Sequence, residues 1–496
     1  MESTRRPPYQ VTFGILAAGI GAFALLQSLV IPVLSTVQAE LHTSQSAVTW
    51  VLTAYLLSAS VMTPILGRVG DIYGKKWVFV TALAALAVGS VLAAVAPNLG
   101  IMIVARVIQG LGGGSLPLGF GIIRDEFPTE KVAGAVGILA ALTAVGGSLG
   151  IVLAGPIVNA LNWRWLFWLP GIVTAVAAAG AVLFVPQSPQ RGRGTISWLP
   201  AFLLAGWLVL LLVPLSEASG WGWGSPKVLG LLAGAVAVAG AWIWSELRAA
   251  TPLIDMKMMR LPGVWTNNLV ALLIGIGLYA MFAFLPEFVQ TPSSAGYGFG
   301  ASITTSGLML LPSGVTMFAV GLFVGPLTRR FGGKALVATG CLVGCAAMAM
   351  FAFARSQEWE IYVATGVLGV GFGLAFSTMS ANVVAAVRAD QTGVATGMNA
   401  NIRSIGGSVG AAVMASIVTA KLQPSGLPAG SGYTTGFGVM AAVLAVAVLA
   451  ALLIPSQRRP DRADIEAAAI NTLAMSGDAV TAESAAGEAV ASELGE

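Results

Sequence analysis

The stretch that decides the fold is Glu130–Gly150, EKVAGAVGILAALTAVGGSLG, because a second version of it follows 260 residues later. The second version is Asp390–Gly410, DQTGVATGMNANIRSIGGSVG, and the two align without a gap and share a GGSxG ending. Each begins with an acid and continues as a run long enough to cross a bilayer. This internal repeat predicts two halves of like fold. Small residues four apart let helices approach closely in lipid, and we expect this of Gly146, Gly150, Gly155, Gly406 and Gly410.

The repeat lies within a chain that is apolar almost throughout. It is 56% hydrophobic and 9% charged, with a mean hydropathy of +0.85, whereas soluble domains carry about 25% charged residues. A spanning helix needs about 20 apolar residues, and its backbone must satisfy its own hydrogen bonds. The sequence therefore predicts an all-α polytopic membrane protein with fourteen transmembrane helices. The predicted spans are 11–34, 46–66, 77–96, 99–123, 132–156, 165–186, 196–215, 226–246, 262–289, 302–324, 335–354, 359–384, 391–419 and 432–455.

The two copies of the repeat open on the same side of the predicted membrane, which is typical of a parallel repeat in a transporter. We therefore expect two six-helix bundles, with the seventh and eighth spans left over as an inserted helix pair. The predicted domains are an N-terminal bundle at 1–190, the inserted pair at 191–250, a C-terminal bundle at 251–456, and a disordered acidic tail at 457–496.

The distribution of lysine and arginine predicts the orientation. An even number of spans places both termini on one side, and most of the 25 basic residues fall on that side. Loops rich in Lys and Arg stay in the cytoplasm. We therefore expect a multi-pass protein of the plasma membrane with both termini cytoplasmic. The opposite side holds Arg164, Lys227, Arg355 and Lys421.

Four motifs carry a family resemblance. The loop GRVGDIYGKK at 67–76 resembles the signature that the major facilitator superfamily has between its second and third helices. The run RVIQG at 106–110 is similar to its fourth-helix motif, and WRWLF at 163–167 to a marker of its fourteen-helix drug:proton antiporter branch. Residues 392–410 resemble the thirteenth helix of that branch. The resemblance covers nearly all of the chain except the tail.

The resemblance implies a secondary active transporter whose two bundles rock about a midplane cavity. It implies export of a drug or natural product, driven by proton antiport. It also implies a charge–dipole latch in the 67–76 loop, in which Asp71 faces a helix N-terminus of the other half and stabilises the outward-facing state. A solvated turn residue is the alternative for Asp71. The latch residues would be Gly67, Arg68, Asp71, Gly74 and Lys75.

The chain departs from the family pattern at three places. Gln27 stands in the first helix where the family usually has an Asp, Ile72 stands where it has an Arg, and Gly150 is followed by Ile151 where it has Gly-Pro. Without an acid near midplane, a lipophilic cation would lack a partner and would be repelled by arginine. We therefore expect a neutral or anionic amphipathic substrate. The expected substrate-binding residues are Gln27, Gln109, Asn399 and Arg403.

Three charged residues within or at the end of predicted spans each leave two interpretations open. Arg106 is expected to take part in proton coupling, or to serve as a hydrogen-bond hub for backbone carbonyls and Gln109. Arg403 falls near midplane, where it would make a substrate or gating contact, or form a buried link to Asn399 or Asn401 and neighbouring helices. Glu287 ends the ninth span, where it would carry the coupled proton or lie exposed at the external helix end.

Other chemistry finds no support in the sequence. There is no G-x-x-x-x-G-K-[ST] motif for an ATPase, and one histidine with the two cysteines Cys341 and Cys345 is too few for a metal site. We expect no enzyme activity, no cofactor beyond the proton gradient and no nucleic-acid partner. The expected partners are a small-molecule substrate and the lipid bilayer, around a monomer. The rival functions are uptake of a small nutrient and a non-transporting membrane sensor on the same scaffold.

Overall fold

The computed structural model describes residues 8–30, 33–43, 45–48, 50–187, 197–249, 252–421, 423–424 and 427–455. The predicted acidic tail at 457–496 and the predicted domain boundaries at 190, 250 and 456 lie outside these residues.

The regular structure within the described residues is helical. The α-helices are α1 Tyr9–Leu29, α2 Leu34–Glu40, α3 Gln45–Val48, α4 Trp50–Tyr73, α5 Lys75–Ala94, α6 Leu99–Gly110, α7 Ser115–Glu126, α8 Thr129–Ala160, α9 Trp165–Phe184, α10 Trp198–Trp221, α11 Pro226–Arg248, α12 Met256–Met259, α13 Pro262–Gln290, α14 Ile303–Phe331, α15 Gly333–Phe353, α16 Glu358–Ala386, α17 Thr392–Thr419 and α18 Gly430–Ala451.

The long helices of the described chain make fourteen membrane crossings. Thirteen helical segments of the described chain are long and apolar enough to cross a membrane, and α8, with 32 residues, adds the fourteenth. Helices α6 and α7 count as one crossing, because a 3-10 turn at Leu111–Gly114 joins them. The prediction of an all-α polytopic membrane protein is confirmed.

The sequence repeat reappears in the helix packing. Helix α8 packs against α1 in the first half, and its repeat mate α17 packs against α13 in the second. The same two helices also reach across the molecule, because α8 packs on α14 and α17 packs on α4. The two halves therefore meet along two equivalent lines of contact, which we call the α8–α14 seam and the α4–α17 seam.

Glycine explains how closely α8 approaches α1. A methyl group on Gly146 would lie 2.6 Å from the Ala24 Cβ, and one on Gly150 would collide with the Ser28 hydroxyl. That hydroxyl donates a hydrogen bond to the Gly146 carbonyl oxygen at 3.1 Å. Backbones this close gain dispersion and polar contacts that larger side chains would prevent.

The other small residues of the repeat are placed in the same way. Methyl groups on Gly406 and Gly410 would collide with backbone carbonyls of α13, so the second half repeats the approach of the first. Gly155 lies farther along α8, where a methyl group would sit 2.8 Å from the Thr304 hydroxyl of α14. Gly155 thus packs across the α8–α14 seam.

Because successive spanning helices alternate in direction, the connections α4–α5, α7–α8, α14–α15 and α16–α17 all lie at one end of the molecule. We call it the basic end, after Lys75, Lys131, Arg330, Lys334 and Arg388.

The inserted pair, α10 and α11, packs as a hairpin, and α10 contacts both α4 and α17. It therefore lies along the α4–α17 seam.

Two local expectations need correction. The first predicted span, 11–34, is shorter in the structure, since α1 ends at Leu29 and α2 begins at Leu34. Asp71, expected in a loop, belongs to the last turn of α4, and Gly74 alone separates α4 from α5. Gly74 has a φ of 103°, a left-handed conformation that glycine adopts without strain.

Candidate functional site

An acidic side chain of the first half caps a helix of the second half. The buried Asp71 accepts hydrogen bonds from the backbone N–H groups of Gly393, at 3.4 Å, and Val394, at 3.2 Å. Both amides belong to the first turn of α17, where N–H groups have no partner within the helix and the helix dipole favours an anion. The contact crosses the α4–α17 seam at the basic end. It excludes the interpretation of Asp71 as a solvated turn residue, because its side chain is 0% exposed.

Two glycines allow the helix ends to come this close. A methyl group on Gly67 would lie 2.5 Å from the Gly393 carbonyl oxygen, and one on Gly393 would lie 2.7 Å from the Gly67 carbonyl oxygen. The methyl group on Gly393 would also approach both carboxylate oxygens of Asp71, at 3.1 Å. Any larger side chain at either position would separate the Asp71 carboxylate from the amides it binds.

Lys75 supplies the positive charge that balances the Asp71 carboxylate. Its ammonium Nζ lies 2.8 Å from Asp125 Oδ2 and 3.9 Å from Asp71 Oδ1. Its stem packs over Gly121, since a methyl group there would lie 2.5 Å from the Lys75 Cδ. All three charged side chains are buried, and charges removed from water persist only when they are paired. Lys75 therefore holds α4, α5 and α7 together at the basic end.

A second tie across the seam was not foreseen from the sequence. Arg124, in the last turn of α7, donates from Nη1 to the Val384 carbonyl oxygen at 2.7 Å and to the Thr392 hydroxyl at 2.8 Å. These acceptors end α16 and begin α17. The available signal was the Arg124–Asp125 dipeptide at the end of α7, on the same side of the predicted membrane as the 67–76 loop. Arg124, Asp71 and Lys75 together form what we call the basic-end latch.

Arg106 is the hub of the first half. The fully buried guanidinium donates from Nε to the Val51 carbonyl oxygen at 2.8 Å, and from Nη1 to Gln109 Oε1 at 2.9 Å and to the Leu26 carbonyl oxygen at 3.5 Å. It also lies 4.4 Å from the centre of the Tyr55 ring. These contacts join α1, α4 and α6. The hydrogen-bond interpretation of Arg106 therefore has direct geometric support, and its part in proton coupling stays a prediction.

Two residues expected to bind substrate are already engaged by protein. Gln109 is fully buried and donates from Nε2 to the Ser90 hydroxyl at 2.9 Å, while its oxygen accepts from Arg106. Asn399 is buried and donates from Nδ2 to Asn268 Oδ1 at 2.8 Å. In this conformation both amides serve as contacts between helices of one half.

Two further expected site residues lie near a helix end. Gln27 is half-buried and precedes the end of α1 by two residues, and Glu287 is exposed three residues before the end of α13. Both helix ends lie opposite the basic end. The structure thus places neither side chain at midplane, and their roles in substrate binding and proton coupling stay predictions.

Arg403, whose part in substrate binding stays a prediction, lies near the middle of α17. It is the twelfth residue of the 28-residue α17, and its half-buried guanidinium lies 4.1 Å from the centre of the Phe376 ring of α16. Tyr279 of α13 interacts with it electrostatically and packs on Gly407, one turn along α17. Within the described part of the chain, the guanidinium has no hydrogen bond or ion pair. An unpaired guanidinium at mid-helix is a ready partner for an anionic or hydrogen-bond-accepting group.

Comparison with known proteins identifies the family. The model of the Major Facilitator Superfamily matches residues 16–411 and, in a second match, residues 269–486. The chain belongs to the Major Facilitator Superfamily. Members of the superfamily are transporters that bind small-molecule substrates within the membrane. The chain itself is a multi-pass membrane protein.

Several superfamily transporters are similar to the chain. It is 28% identical to the multidrug transporter protein MdtP of Bacillus subtilis over 73% of this chain and 66% of the relative. It is 28% identical to a probable actinorhodin transporter of Streptomyces coelicolor, over 81% of this chain and 71% of the relative. It is 26% identical to a tetracenomycin C resistance and export protein of Streptomyces glaucescens, over 79% of this chain and 72% of the relative. The chain spans 55% of the length of an uncharacterised MFS-type transporter of Mycobacterium tuberculosis that it also matches.

A solved structure of the superfamily shares the fold. The crystal structure of the human organic anion transporter MFSD10 (TETRAN) aligns with a TM-score of 0.64 over 90% of this chain and 100% of that chain, at 16% identity. At that identity the likeness shows the fold alone.

Proposed function

We propose that this transporter exports an amphipathic small molecule, neutral or anionic, by proton antiport with alternating access. One similar protein is a tetracenomycin C resistance and export protein, and another is the multidrug transporter protein MdtP. The proposal places the basic end and both termini in the cytoplasm, in keeping with the Lys and Arg distribution. The plasma membrane is the proposed location, and the monomer the proposed state.

The observation that carries the proposal is the closure of the α4–α17 seam by Asp71. A carboxylate of one half that binds the N-terminus of a helix in the other half stabilises one relative arrangement of the halves. Loss of the same contact allows the two halves to move relative to each other. A contact of this kind is what a two-state transporter needs at a moving interface, since a state can be favoured only by contacts that differ between states.

The proposed substrate class rests on Arg403. A cation placed beside a free guanidinium at low dielectric would be repelled, whereas a carboxylate, sulfonate or phenolate would be attracted. The buried Phe376 ring lies 4.1 Å from the guanidinium and holds it in place. The free charge favours an amphipathic compound with an acidic or strongly hydrogen-bond-accepting group.

Proton coupling is assigned to Arg106 and Glu287. Arg106 forms no ion pair within the described chain, so it would act through the hydrogen bonds that it makes to α1 and α4. Glu287 would exchange its proton with the medium at the end opposite the latch.

The test uses everted membrane vesicles with an imposed pH gradient and three probes: anilinonaphthalene sulfonate, neutral N-phenyl-1-naphthylamine and cationic ethidium. We expect accumulation of the first two, abolished by a protonophore and unaffected by ATP removal. Undiminished transport without the gradient would contradict antiport. Accumulation only in right-side-out vesicles would favour uptake, and failure to transport any compound of a broad panel would favour the sensor.

A further inference from the structure

The inserted pair is tied to the second half at both ends of the membrane. At the end opposite the latch, Trp223, just after α10, donates from its indole Nε1 to the Ser416 hydroxyl of α17 at 2.7 Å. At the basic end, Gln391, which precedes α17, donates from Nε2 to Asp255 Oδ2 at 3.2 Å. Asp255 belongs to the segment that follows α11 and caps the short helix α12. The first bond joins α17 to the pair directly, and the second joins the start of α17 to the segment that leads from the pair into α13.

A buried carboxylate fixes the segment between the ties. Glu246, in the last turn of α11, accepts from the Trp242 indole N–H at 3.1 Å and from the Ile254 backbone N–H at 3.2 Å. Trp242 in turn stacks on Trp207 of α10, with ring centres 5.8 Å apart. The chain after α11 is therefore folded back against the pair, and Asp255 is held where it meets Gln391.

The contact of the pair with the first half is of another kind. Val61 and Ile65 of α4 lie in one apolar cluster with Leu204 and Leu208 of α10, and α17 joins that cluster through Val394 and Met398 in addition to its hydrogen bond to the pair. Arg68 of α4 attracts the Glu246 carboxylate electrostatically. Hydrogen bonds are directional and fix geometry, whereas apolar contact is non-directional and depends on buried area alone. Helix α4 can therefore slide over the apolar surface of α10 at a lower cost than α17, because sliding of α17 would break the hydrogen bond that fixes it to the pair.

We propose that the inserted pair moves as one body with the second half, while α4 of the first half slides across α10. The pair then fixes the position of α17 within the second half, and in this role we call it the brace. The pair reaches this position through Glu246 and the Ile254 N–H, and the adjoining Asp255–Gln391 bond lies just before Gly393 and Val394, the amides that bind Asp71. The brace therefore sets the position at which the latch can close, and it follows α17 when the latch opens.

Electron paramagnetic resonance distances in the full-length protein test this without any substrate. Spin labels are attached at Val236→Cys on α11, Val176→Cys on α9 of the first half and Leu342→Cys on α15 of the second half. These side chains are 75%, 68% and 59% exposed, so the labels disturb little packing. The native cysteines are removed as Cys341→Ala and Cys345→Ala. The latch is opened by Gly67→Trp, with Asp71→Asn as a second variant in case the first fails to fold.

We expect the 176–342 distance to shift when the latch opens, because the halves separate at the basic end. The 236–176 distance should shift with it, and the 236–342 distance should stay unchanged. A shift in 236–342 would overturn the proposal, whether or not 236–176 also shifts. An unchanged 176–342 distance would overturn it as well, since the halves would then not move as bodies about this seam.

A last variant tests the ties themselves. Asp255→Ala combined with Ser416→Ala removes one partner from each hydrogen bond that holds α17 to the pair or to the segment that follows it. With the latch opened, this variant should broaden the 236–342 distance distribution. A distribution as narrow as that of the parent would show that the hydrogen bonds do not hold the brace, against the proposal.

Discussion

Gly67 of α4 and Gly393 of α17 face each other so closely that a methyl group on the first would lie 2.5 Å from the carbonyl oxygen of the second. They come from different halves of the molecule, and the contact lies one turn from the Asp71 carboxylate. The absence of side chains at these two positions lets the helices approach, and the charged groups of Asp71 and Arg124 then bind across the seam.

The first prediction concerns this close approach. Gly67→Val should weaken closure of the latch, because overpacking of this kind costs about 1–3 kcal/mol. We expect turnover to fall roughly tenfold, in proportion to that energy, with substrate affinity nearly unchanged. The control is Gly134→Val in α8, where a methyl group would meet nothing within 4 Å. Equal effects of the two substitutions on transport would contradict this account.

The second prediction isolates the charge. Asp71→Asn keeps the size of the side chain and loses the charge-assisted bonds to α17, each worth about 1.5–3 kcal/mol. Turnover in proteoliposomes should fall while equilibrium binding of substrate stays intact. Asp390→Asn is the matched control, since its partner Arg388 is 73% exposed and a surface ion pair contributes about 0–1 kcal/mol. A large loss of affinity with normal turnover would count against the latch.

The third prediction concerns the hub of the first half. Arg106→Gln removes donors to carbonyl oxygens of α1 and α4, and should lower the free energy of unfolding by about 3–5 kcal/mol, as expected for a broken buried network. A lowered Tm in detergent is the measurement. Arg164→Gln, which removes a half-buried guanidinium stacked on Trp163 at 4.4 Å, should change the Tm little. If Arg106→Gln leaves the Tm unchanged but abolishes pH-driven transport, Arg106 acts in coupling and not as a structural hub.

The fourth prediction concerns Arg403. Arg403→Ala should weaken binding of anilinonaphthalene sulfonate by about tenfold or more, in line with roughly 1.5–3 kcal/mol for a hydrogen bond to a charged group. Binding of uncharged N-phenyl-1-naphthylamine should change much less, because the two probes differ chiefly in the sulfonate. Arg403→Lys keeps the charge and should retain most of the discrimination. Equal losses for both probes would assign Arg403 a packing role on Phe376.

Much of the fold could be predicted because it depends on local properties. The length of an apolar run decides whether it crosses a bilayer, and Glu130–Gly150 and its repeat revealed the two-fold plan without any knowledge of contacts. Asp71 was also identified in advance, from the motif around it. Arg124 was not, because its role depends on acceptors about 260 residues away.

The sequence by itself determined the membrane-spanning architecture, the repeat and the identity of the latch carboxylate, since these follow from hydrophobicity and short motifs along the chain. Only the tertiary structure decided what each polar side chain binds. It engaged Gln109 and Asn399 within their own halves, left Arg403 without a hydrogen bond, and tied Asp255, in the segment that follows the inserted pair, to Gln391. The physical reason is that a hydrogen bond needs its partner within about 3 Å, and in this molecule those partners come from helices that are distant in sequence.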